Sequence, residues 1–313
     1  MAPLRAGPLT LTALLLALCA PTTGARAALL DHHAASPSWE LVWGDEFSGT
    51  SINTSLWTVS DNVYEGAPST SNQIELYTAN NVALDGRGHL VLTTQRQDVV
   101  VDGLHFNVTS GRVDTSFKGN VSWTAWGAGR VEVSARLQND AASGLHTAHW
   151  LLGYSCWPTG SEVDIMECQS PHNAYAGGGG RAAGADWQVA TSNYHWGTRC
   201  GNETRHTTGT SSWPHAPMVV GNYSTDFTVF AVEWNATAMR MFVNDTQVNE
   251  LFEGMPGWAA PWQLPSGDLY LIISQAYMKH RPAGDPPAWV WAEGVQQVVD
   301  YVRVYRAATA AAR

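Results

Sequence analysis

Three carboxyl side chains lie close together near the middle of the chain, at Glu162, Asp164 and Glu167. Hydrolysis of a glycosidic bond needs one carboxylic acid that protonates the leaving oxygen and one carboxylate on the other side of the anomeric carbon. The segment offers both groups, with a third carboxyl between them. It therefore indicates a glycoside hydrolase, although the same spacing is also typical of an exposed strand whose acidic face is merely solvated.

The spacing of the three carboxyls requires an irregular strand. On a regular strand Glu162 and Asp164 share one face, whereas Glu167 points to the other. We therefore predict a β-bulge at Ile165-Met166, which would bring the carboxyl oxygens of Glu162 and Glu167 to the separation of about 5 to 5.5 Å that retaining enzymes use. Asp164 would share a proton with Glu162, and the charge of that pair should raise the pKa of Glu167 and keep it protonated.

The elements that position these groups are predicted to be strands. Short runs of β-branched or alternating apolar residues recur along the chain, and turn residues separate them at close intervals. This pattern predicts an all-β sandwich, and no segment shows a convincing helical period. The runs cover residues 40–43, 89–94, 129–137, 228–233, 240–243, 269–274 and 298–305.

The N-terminal 27 residues have the features of a signal peptide. Arg5 precedes an apolar run over 9–20, and Ala25-Arg26-Ala27 is a pattern that signal peptidase accepts. We therefore predict that the protein is secreted. No later segment provides the roughly 20 apolar residues of a membrane-spanning helix, so we expect no membrane association.

The rest of the chain shows no internal repeat and no linker. Residues 28–306 are predicted to form a single glycoside hydrolase domain, and residues 307–313 a flexible tail. Seven Asn-x-Ser/Thr sequons support an extracellular location. They are Asn53, Asn107, Asn120, Asn202, Asn222, Asn235 and Asn244.

Composition narrows the class of ligand. The formal net charge is -10, from 27 acidic and 17 basic residues, so the chain lacks the basic stripe of a nucleic-acid-binding protein. The chain also contains 15 Trp, and large aromatic faces suit the apolar face of a sugar ring. Most of these Trp residues are expected in the core, and a minority in a cleft that binds carbohydrate.

Seven further segments resemble glycoside hydrolase family 16, the laminarinase-like group of β-glucanases, nearly from end to end of the chain. The family fold is a β-jelly-roll sandwich of two antiparallel sheets with a concave substrate cleft. The matching segments are 41–47 (LVWGDEF), 55–57 (SLW), 72–78 (NQIELYT), 110–112 (SGR), 129–133 (GRVEV), 193–197 (NYHWG) and 299–305 (VDYVRVY).

The resemblance implies roles for individual residues. In the family, an E-[ILV]-D-x-x-E strand supplies nucleophile, helper and acid/base in that order, which assigns these roles to Glu162, Asp164 and Glu167. The resemblance places His195 beside Glu167 on the neighbouring antiparallel strand. The sugar contacts that it implies are Asn72, Arg112, Trp150, His195 and Trp196.

The cysteine pairing follows from the same resemblance. Three cysteines remain after the signal peptide, so at most one internal disulfide forms. If Glu167 lies opposite His195, Glu162 lies opposite Cys200 and Cys156 lies in the loop just before it. We therefore favour a bridge between Cys156 and Cys200, with Cys168 free.

Two segments depart from the family pattern. The stretch W-P-A-x-W-M-L reads HTAHWLL over 146–152, so that His146 replaces the first cleft tryptophan and Trp150 remains. The segment N-x-A-x-G-G reads SQAYMK over 274–279, so the substrate linkage is less closely specified. No cofactor is required, but some relatives carry a structural calcium ion, for which Asp300 and backbone near Glu46 and Gly88 are the matching positions.

The sequence thus predicts a secreted, monomeric, endo-acting retaining hydrolase that cleaves β-1,3-glucan or mixed-linkage β-1,3(4)-glucan by double displacement. Its rate should follow a bell-shaped pH profile, with the acid limb from Glu162 and the alkaline limb from Glu167. Two alternatives stay open. One is a catalytically silent β-glucan-recognition protein, and the other is a related hydrolase or transglycosylase that acts on another β-linked polysaccharide.

Overall fold

A computed structural model of the protein describes residues 38–138, 144–169, 188–197, 199–200, 218–252, 264–278 and 294–308. The predicted signal peptide and residues 309–313 of the predicted tail lie outside the described residues. No helix in these ranges is long and apolar enough to cross a membrane.

The described chain is built almost entirely from strands. Helical structure within it is confined to the four-residue helix α1, Trp123–Trp126, and a single 3-10 turn, Ala79–Asn81. The strands are β1 Trp39–Asp45, β2 Thr58–Val59, β3 Leu76–Tyr77, β4 Val82–Leu84, β5 Leu90–Val101, β6 Leu104–Ser110, β7 Arg112–Asp114, β8 Asn120–Ser122, β9 Gly129–Leu137, β10 Leu145–Gly153, β11 Glu162–Gln169, β12 Gln188–His195, β13 Met218–Gly221, β14 Thr228–Trp234, β15 Ala238–Val243, β16 Thr246–Phe252, β17 Asp268–Tyr277 and β18 Val295–Ala307.

The strands form two mostly antiparallel sheets, and this confirms the predicted jelly-roll sandwich. One sheet has ten strands in the order β16-β15-β14-β9-β18-β5-β6-β3, with β1 and β4 attached. The other has eight strands in the order β13-β12-β11-β10-β17-β7-β2, with β8 attached to β17. Neighbours in space are often distant in sequence, which is typical of jelly rolls.

Alternation along the strands builds the core between the sheets. On β9, Val131 and Val133 are fully buried, and on β17 Leu269 and Leu271 are fully buried. Because successive side chains of a strand point to opposite faces, the residues between them lie on the outer faces of the two sheets. The predicted strands agree with this arrangement, and β9 begins and ends where the sequence predicts.

The disulfide joins the residues that we favoured. Cys156 is bonded to Cys200 with a Cα separation of 5.3 Å, and Cys168 is buried and forms no disulfide. Both predictions about the cysteines are confirmed.

Candidate active site

Strand β11 carries the three carboxyls and lies between β10 and β12 inside the eight-stranded sheet. A β-bulge interrupts it at the predicted place, because the register with β12 shifts between Asp164 and Glu167. Ile165 and Met166 are both fully buried, so two successive side chains enter the core. The bulge thereby returns Glu167 to the outer face that Glu162 and Asp164 occupy.

Two glycines fix the start of β11. A Cβ on Gly153, at the end of β10, would lie 1.8 Å from the carbonyl oxygen of Gly160. A Cβ on Gly160 would lie 2.7 Å from the carbonyl oxygen of Ser155. Only glycine allows the backbones to approach this closely, and the approach sets where Glu162 enters the sheet.

His195 lies beside the first two carboxyls. Its Nε2 is 3.2 Å from Asp164 Oδ2 and 3.7 Å from Glu162 Oε1. The prediction that His195 lies opposite Glu167 was wrong, because His195 pairs with Glu162 in the ladder between β11 and β12. The sequence does not fix this register, since both strands have an outer face lined with polar residues and a slip that preserves alternation keeps that face intact.

Glu167 has two different partners. His146 Nε2 lies 3.0 Å from Glu167 Oε1, and the side-chain amide of Asn193 donates a hydrogen bond to Glu167 Oε2. His146 reaches Glu167 diagonally, because Ala148 is the residue directly opposite Glu167 on β10. Both oxygens of the predicted acid are therefore held by side chains on the flanking strands.

Burial favours the neutral forms of two of the three carboxyls. Desolvation, followed by the charge of Asp164, raises the pKa of Glu162 to about 8. Desolvation and the neighbouring charge of Glu167 also raise the pKa of Asp164 well above its usual value. The Asp164 side chain is only 4% exposed, so little water remains to stabilise its charge.

Glu167 behaves in the opposite way. Desolvation acts to raise its pKa, but the hydrogen bond and charge of His146, the charge of His195 and the amide of Asn193 together lower it below the usual value. The same contact raises the pKa of His146 in spite of its burial. Our expectation of a raised pKa at Glu167 was therefore wrong, because it counted the neighbouring carboxyls and not the imidazole of His146.

Comparison with known proteins finds relatives that match nearly the whole chain. The β-glucanase of Rhodothermus marinus is 28% identical over 300 residues, which cover 88% of this chain and 88% of that protein. The endo-β-1,3-glucanase of Pyrococcus furiosus, a solved structure, is 25% identical with a TM-score of 0.66 and covers 88% of this chain and 97% of its own. The chain is similar over nearly its whole length to laminarinase-like proteins of the glycoside hydrolase family 16 type.

Two further comparison results limit how far this similarity extends. The clotting factor G alpha subunit of Tachypleus tridentatus is 26% identical over 278 residues, but the chain spans only 35% of its length. No family model matches the chain.

The outer face beside the carboxyls continues across β10, β17 and β7. The guanidinium of Arg112 lies 5.5 Å from the centre of the Trp150 ring and donates a hydrogen bond to Glu65 at 2.6 Å. The indole N–H of Trp150 donates to the hydroxyl of Ser274 at 3.2 Å. Arg112 and Trp150, two of the predicted sugar contacts, therefore lie together on the outer face beside the carboxyls.

Other predicted sugar contacts are placed differently. Trp196 is only 4% exposed and stacks on Tyr194 in the core, with ring centres 5.1 Å apart. This burial contradicts a direct contact between Trp196 and sugar. Asn72 is exposed just before Gln73, which forms a β-bridge with Met278 at the end of β17.

Three residues of the site were not among the predicted binding residues. His146 and Asn193 contact Glu167, and Trp157 is 42% exposed with its ring centre 6.1 Å from that of His195. A hydrogen bond from Trp157 partly offsets the raised pKa of Glu162. Asn193 lies two residues before His195 on the same face of β12, and this alternation is the signal that could have identified it.

The cluster also has the donor atoms of a cation site. One ligand atom each from Glu162, Asp164 and His195 lie within 4.8 Å of one another. We assign its two carboxyls to acid-base chemistry, because the bulge of β11 places them on one face with Glu167. The predicted calcium residue Asp300 accepts a hydrogen bond from Ser134 at 3.2 Å, on the other sheet.

Proposed function

We propose that the protein is a secreted, endo-acting retaining hydrolase of β-1,3-glucan or mixed-linkage β-1,3(4)-glucan. The observation that carries the proposal is the bulge of β11, which brings Glu162, Asp164 and Glu167 to one face of the eight-stranded sheet. The relatives described above include a β-glucanase and an endo-β-1,3-glucanase with nearly the same extent. They support β-1,3-linked glucan as the substrate.

The carboxyls would divide the work of double displacement. Glu167 would protonate the glycosidic oxygen while Glu162 attacks the anomeric carbon, so that the leaving sugar departs and a glycosyl ester forms on Glu162. Glu167, now ionised, would take a proton from water, and the resulting hydroxide would break the ester and release the sugar. Asp164 lies between them and would share a proton with Glu162 at the stage when Glu162 is released.

The protonation of the free protein differs from the reactive form by the position of one proton. Glu162 tends to hold a proton and Glu167 tends to be ionised, whereas the reaction needs the reverse. The two forms have the same net charge, so the bell-shaped pH profile is kept with its limbs exchanged. The acid limb then reports Glu167, and the alkaline limb, near pH 8, reports Glu162.

Substrate would favour the reactive form. The oxocarbenium-like transition state carries positive charge next to Glu162, which stabilises the ionised carboxylate. The leaving oxygen needs a proton at Glu167, and the proton that Glu162 gives up on ionising supplies it, so that the net charge stays the same. Trp150 and Arg112 would orient a neighbouring sugar ring through its apolar face and its hydroxyls.

Oligomeric state, secretion, glycosylation and calcium binding stay predictions. A monomeric state, secretion and N-glycosylation are proposed from sequence alone. A structural calcium ion would require oxygen ligands near Asp300, Glu46 and Gly88. A Cβ on Gly88 would lie 3.8 Å from the carbonyl oxygen of Glu46. Catalysis as proposed does not depend on the ion.

The test is reducing-sugar release from laminarin, lichenan, agarose and xyloglucan, with wild type beside Glu162→Gln and with product anomers followed by NMR. We expect release from laminarin with retention of the anomeric configuration and its loss in the variant. Binding without release would identify a glucan-recognition protein instead. Release from agarose or xyloglucan alone would identify a hydrolase of another β-linked polysaccharide.

A further inference from the structure

A row of paired residues leads away from Glu162 across the outer face of the eight-stranded sheet. Glu162 pairs with Leu152, Leu152 pairs with Tyr270, and Tyr270 pairs with Asn120. Because neighbouring strands are about 4.8 Å apart, the backbone of Tyr270 lies about 10 Å across the sheet from that of Glu162. This exceeds what one sugar ring at the scissile bond would cover.

Three aromatic side chains form a continuous surface at the end of this row, and we call Phe117, Tyr154 and Tyr270 the aromatic platform. The ring centres of Phe117 and Tyr154 are 4.8 Å apart, and those of Tyr154 and Tyr270 are 5.0 Å apart. Leu269 and Leu271 are fully buried, so Tyr270 lies on the outer face, which Glu162 shares.

Hydrogen bonds hold the platform in place. The backbone N–H of Phe117 donates to the hydroxyl of Tyr154 at 2.8 Å, and that hydroxyl donates to Asn120 Oδ1 at 2.6 Å. The amide of Asn120 in turn donates to Asp268 Oδ2 at 3.2 Å. The rings are thus positioned before any ligand arrives, which reduces the entropy lost on binding.

Two rings of the platform are exposed to solvent. Phe117 is 87% exposed and Tyr154 is 40% exposed, and Phe117 is the most exposed large hydrophobic side chain in the described ranges. Phe117 also has a φ of 59°, a conformation that costs a bulky residue about 1 to 3 kcal/mol. Burial does not compensate this strain, so the exposed ring needs another explanation.

We propose that the aromatic platform is a binding subsite for a sugar unit of the glucan chain distant from the scissile bond. This inference rests on the proposed function, because it takes the glucan chain to run from Glu162 along the row. The flat rings would pack on the C–H face of a glucosyl unit. The exposed carboxylate of Asp268 at the edge of the platform would accept hydrogen bonds from sugar hydroxyls and would repel a sulfated glycan.

The test compares long and short substrates in a series at one position. Phe117→Ala removes the ring, Phe117→Leu keeps an apolar side chain without a flat face, and Phe117→Trp restores the face. We expect Phe117→Ala and Phe117→Leu to raise KM for long laminarin about two- to tenfold, the effect of losing one aromatic contact, and Phe117→Trp to restore it. Hydrolysis of an aryl β-laminaribioside should be unchanged in all three.

A matched control removes another exposed apolar side chain. Leu41 is 55% exposed on β1 of the other sheet, so Leu41→Ala should leave KM for long laminarin unchanged. Equal effects of the Phe117 variants on long and short substrates would overturn the platform. So would unaltered KM for long laminarin in Phe117→Ala.

Binding measurements separate this inference from the proposed function. Affinity electrophoresis in laminarin gels measures binding without hydrolysis. Wild type that binds but does not cleave, with binding weakened by Phe117→Ala, would uphold the platform and reject the hydrolase. Cleavage of long laminarin that Phe117→Ala does not affect would uphold the hydrolase and reject the platform. Absence of both binding and cleavage would overturn the hydrolase and the platform.

The sequon at Asn120 gives an independent check. Its amide nitrogen, the atom that would carry a glycan, donates to Asp268 at the edge of the platform. We expect mass spectrometry of the protein secreted by a eukaryotic host to find Asn120 unmodified. A glycan at Asn120 would cover the platform and overturn the inference.

Discussion

The outer faces of the two sheets treat similar carboxylates in different ways. On the ten-stranded sheet, Arg130 binds Glu132 at 2.9 Å and Glu233 at 2.5 Å. On the eight-stranded sheet, the ion-pair partners described for Glu162, Asp164 and Glu167 are histidines. Glu132 and Glu233 thus share a permanent counter-charge, whereas the three carboxyls of β11 lie beside imidazoles, a type of side chain whose charge depends on pH.

The difference teaches where a proton can move. A guanidinium stays charged at every ordinary pH, so it offers its carboxylate partners a permanent counter-charge. Beside His146 and His195, by contrast, burial raises the pKa of Glu162 to about 8 while the pKa of Glu167 falls. Groups whose environments push their pKa values apart are the usual mark of acid-base catalysis.

The largest expected effect comes from removing one carboxylate on each face. Glu162→Gln should abolish laminarin hydrolysis, because an amide cannot form the glycosyl ester. Glu233→Gln replaces the same type of side chain beside Arg130 on the other sheet and should leave KM and the rate on laminarin unchanged. Reducing-sugar assays on both variants, with folding checked by circular dichroism, test this, and wild-type rates in Glu162→Gln would contradict the assignment.

The second effect depends on the leaving group. Glu167→Ala should slow laminarin hydrolysis by about 10²- to 10⁴-fold, the usual contribution of a general acid. An aryl β-glucoside with an activated leaving group needs little protonation, so the variant should form the glycosyl ester from it at nearly the normal rate. The burst of released phenol measures that step, and equal losses on both substrates would reject Glu167 as the acid.

Sequence alone predicts much of the eight-stranded face and less of its electrostatics. The bulge at Ile165-Met166 follows from chemistry that needs three carboxyls on one face. The register of His195 does not, because alternation constrains the face of a residue and not its partner. The contact of His146 with Glu167 could not be predicted either, because it joins residues that lie diagonally across neighbouring strands. This contact helps to lower the pKa of Glu167, so the sequence did not predict that Glu167 has a lower pKa than Glu162.

A third, smaller effect tests that contact. The hydrogen bond and charge of His146 help to lower the pKa of Glu167, so His146→Gln should raise that pKa. Because the acid limb reports Glu167 in this arrangement, we expect it to move to higher pH while the alkaline limb stays near pH 8. The pH dependence of kcat/KM on laminarin measures both limbs.

The control for His146 is an exposed histidine that pairs with an aspartate away from β11. His105 Nε2 lies 3.2 Å from Asp98 Oδ1, with side chains 63% and 77% exposed. His105→Gln should leave both limbs in place. An acid limb that does not move in His146→Gln would show that His146 does not control Glu167.

The smallest effect is expected on the ten-stranded side. Glu46 makes a bidentate contact with Arg303, at 2.7 and 2.9 Å, but its side chain is 54% exposed. Glu46→Gln should lower the free energy of unfolding by only about 0.2 to 1 kcal/mol, because water and salt screen exposed pairs. Urea unfolding at low and high salt measures this, and the loss should shrink at high salt. A larger loss of unfolding free energy that persists at high salt would mean that groups other than Arg303 also stabilise this carboxylate. Ion pairing with arginine would then not explain how the ten-stranded sheet differs from the eight-stranded sheet.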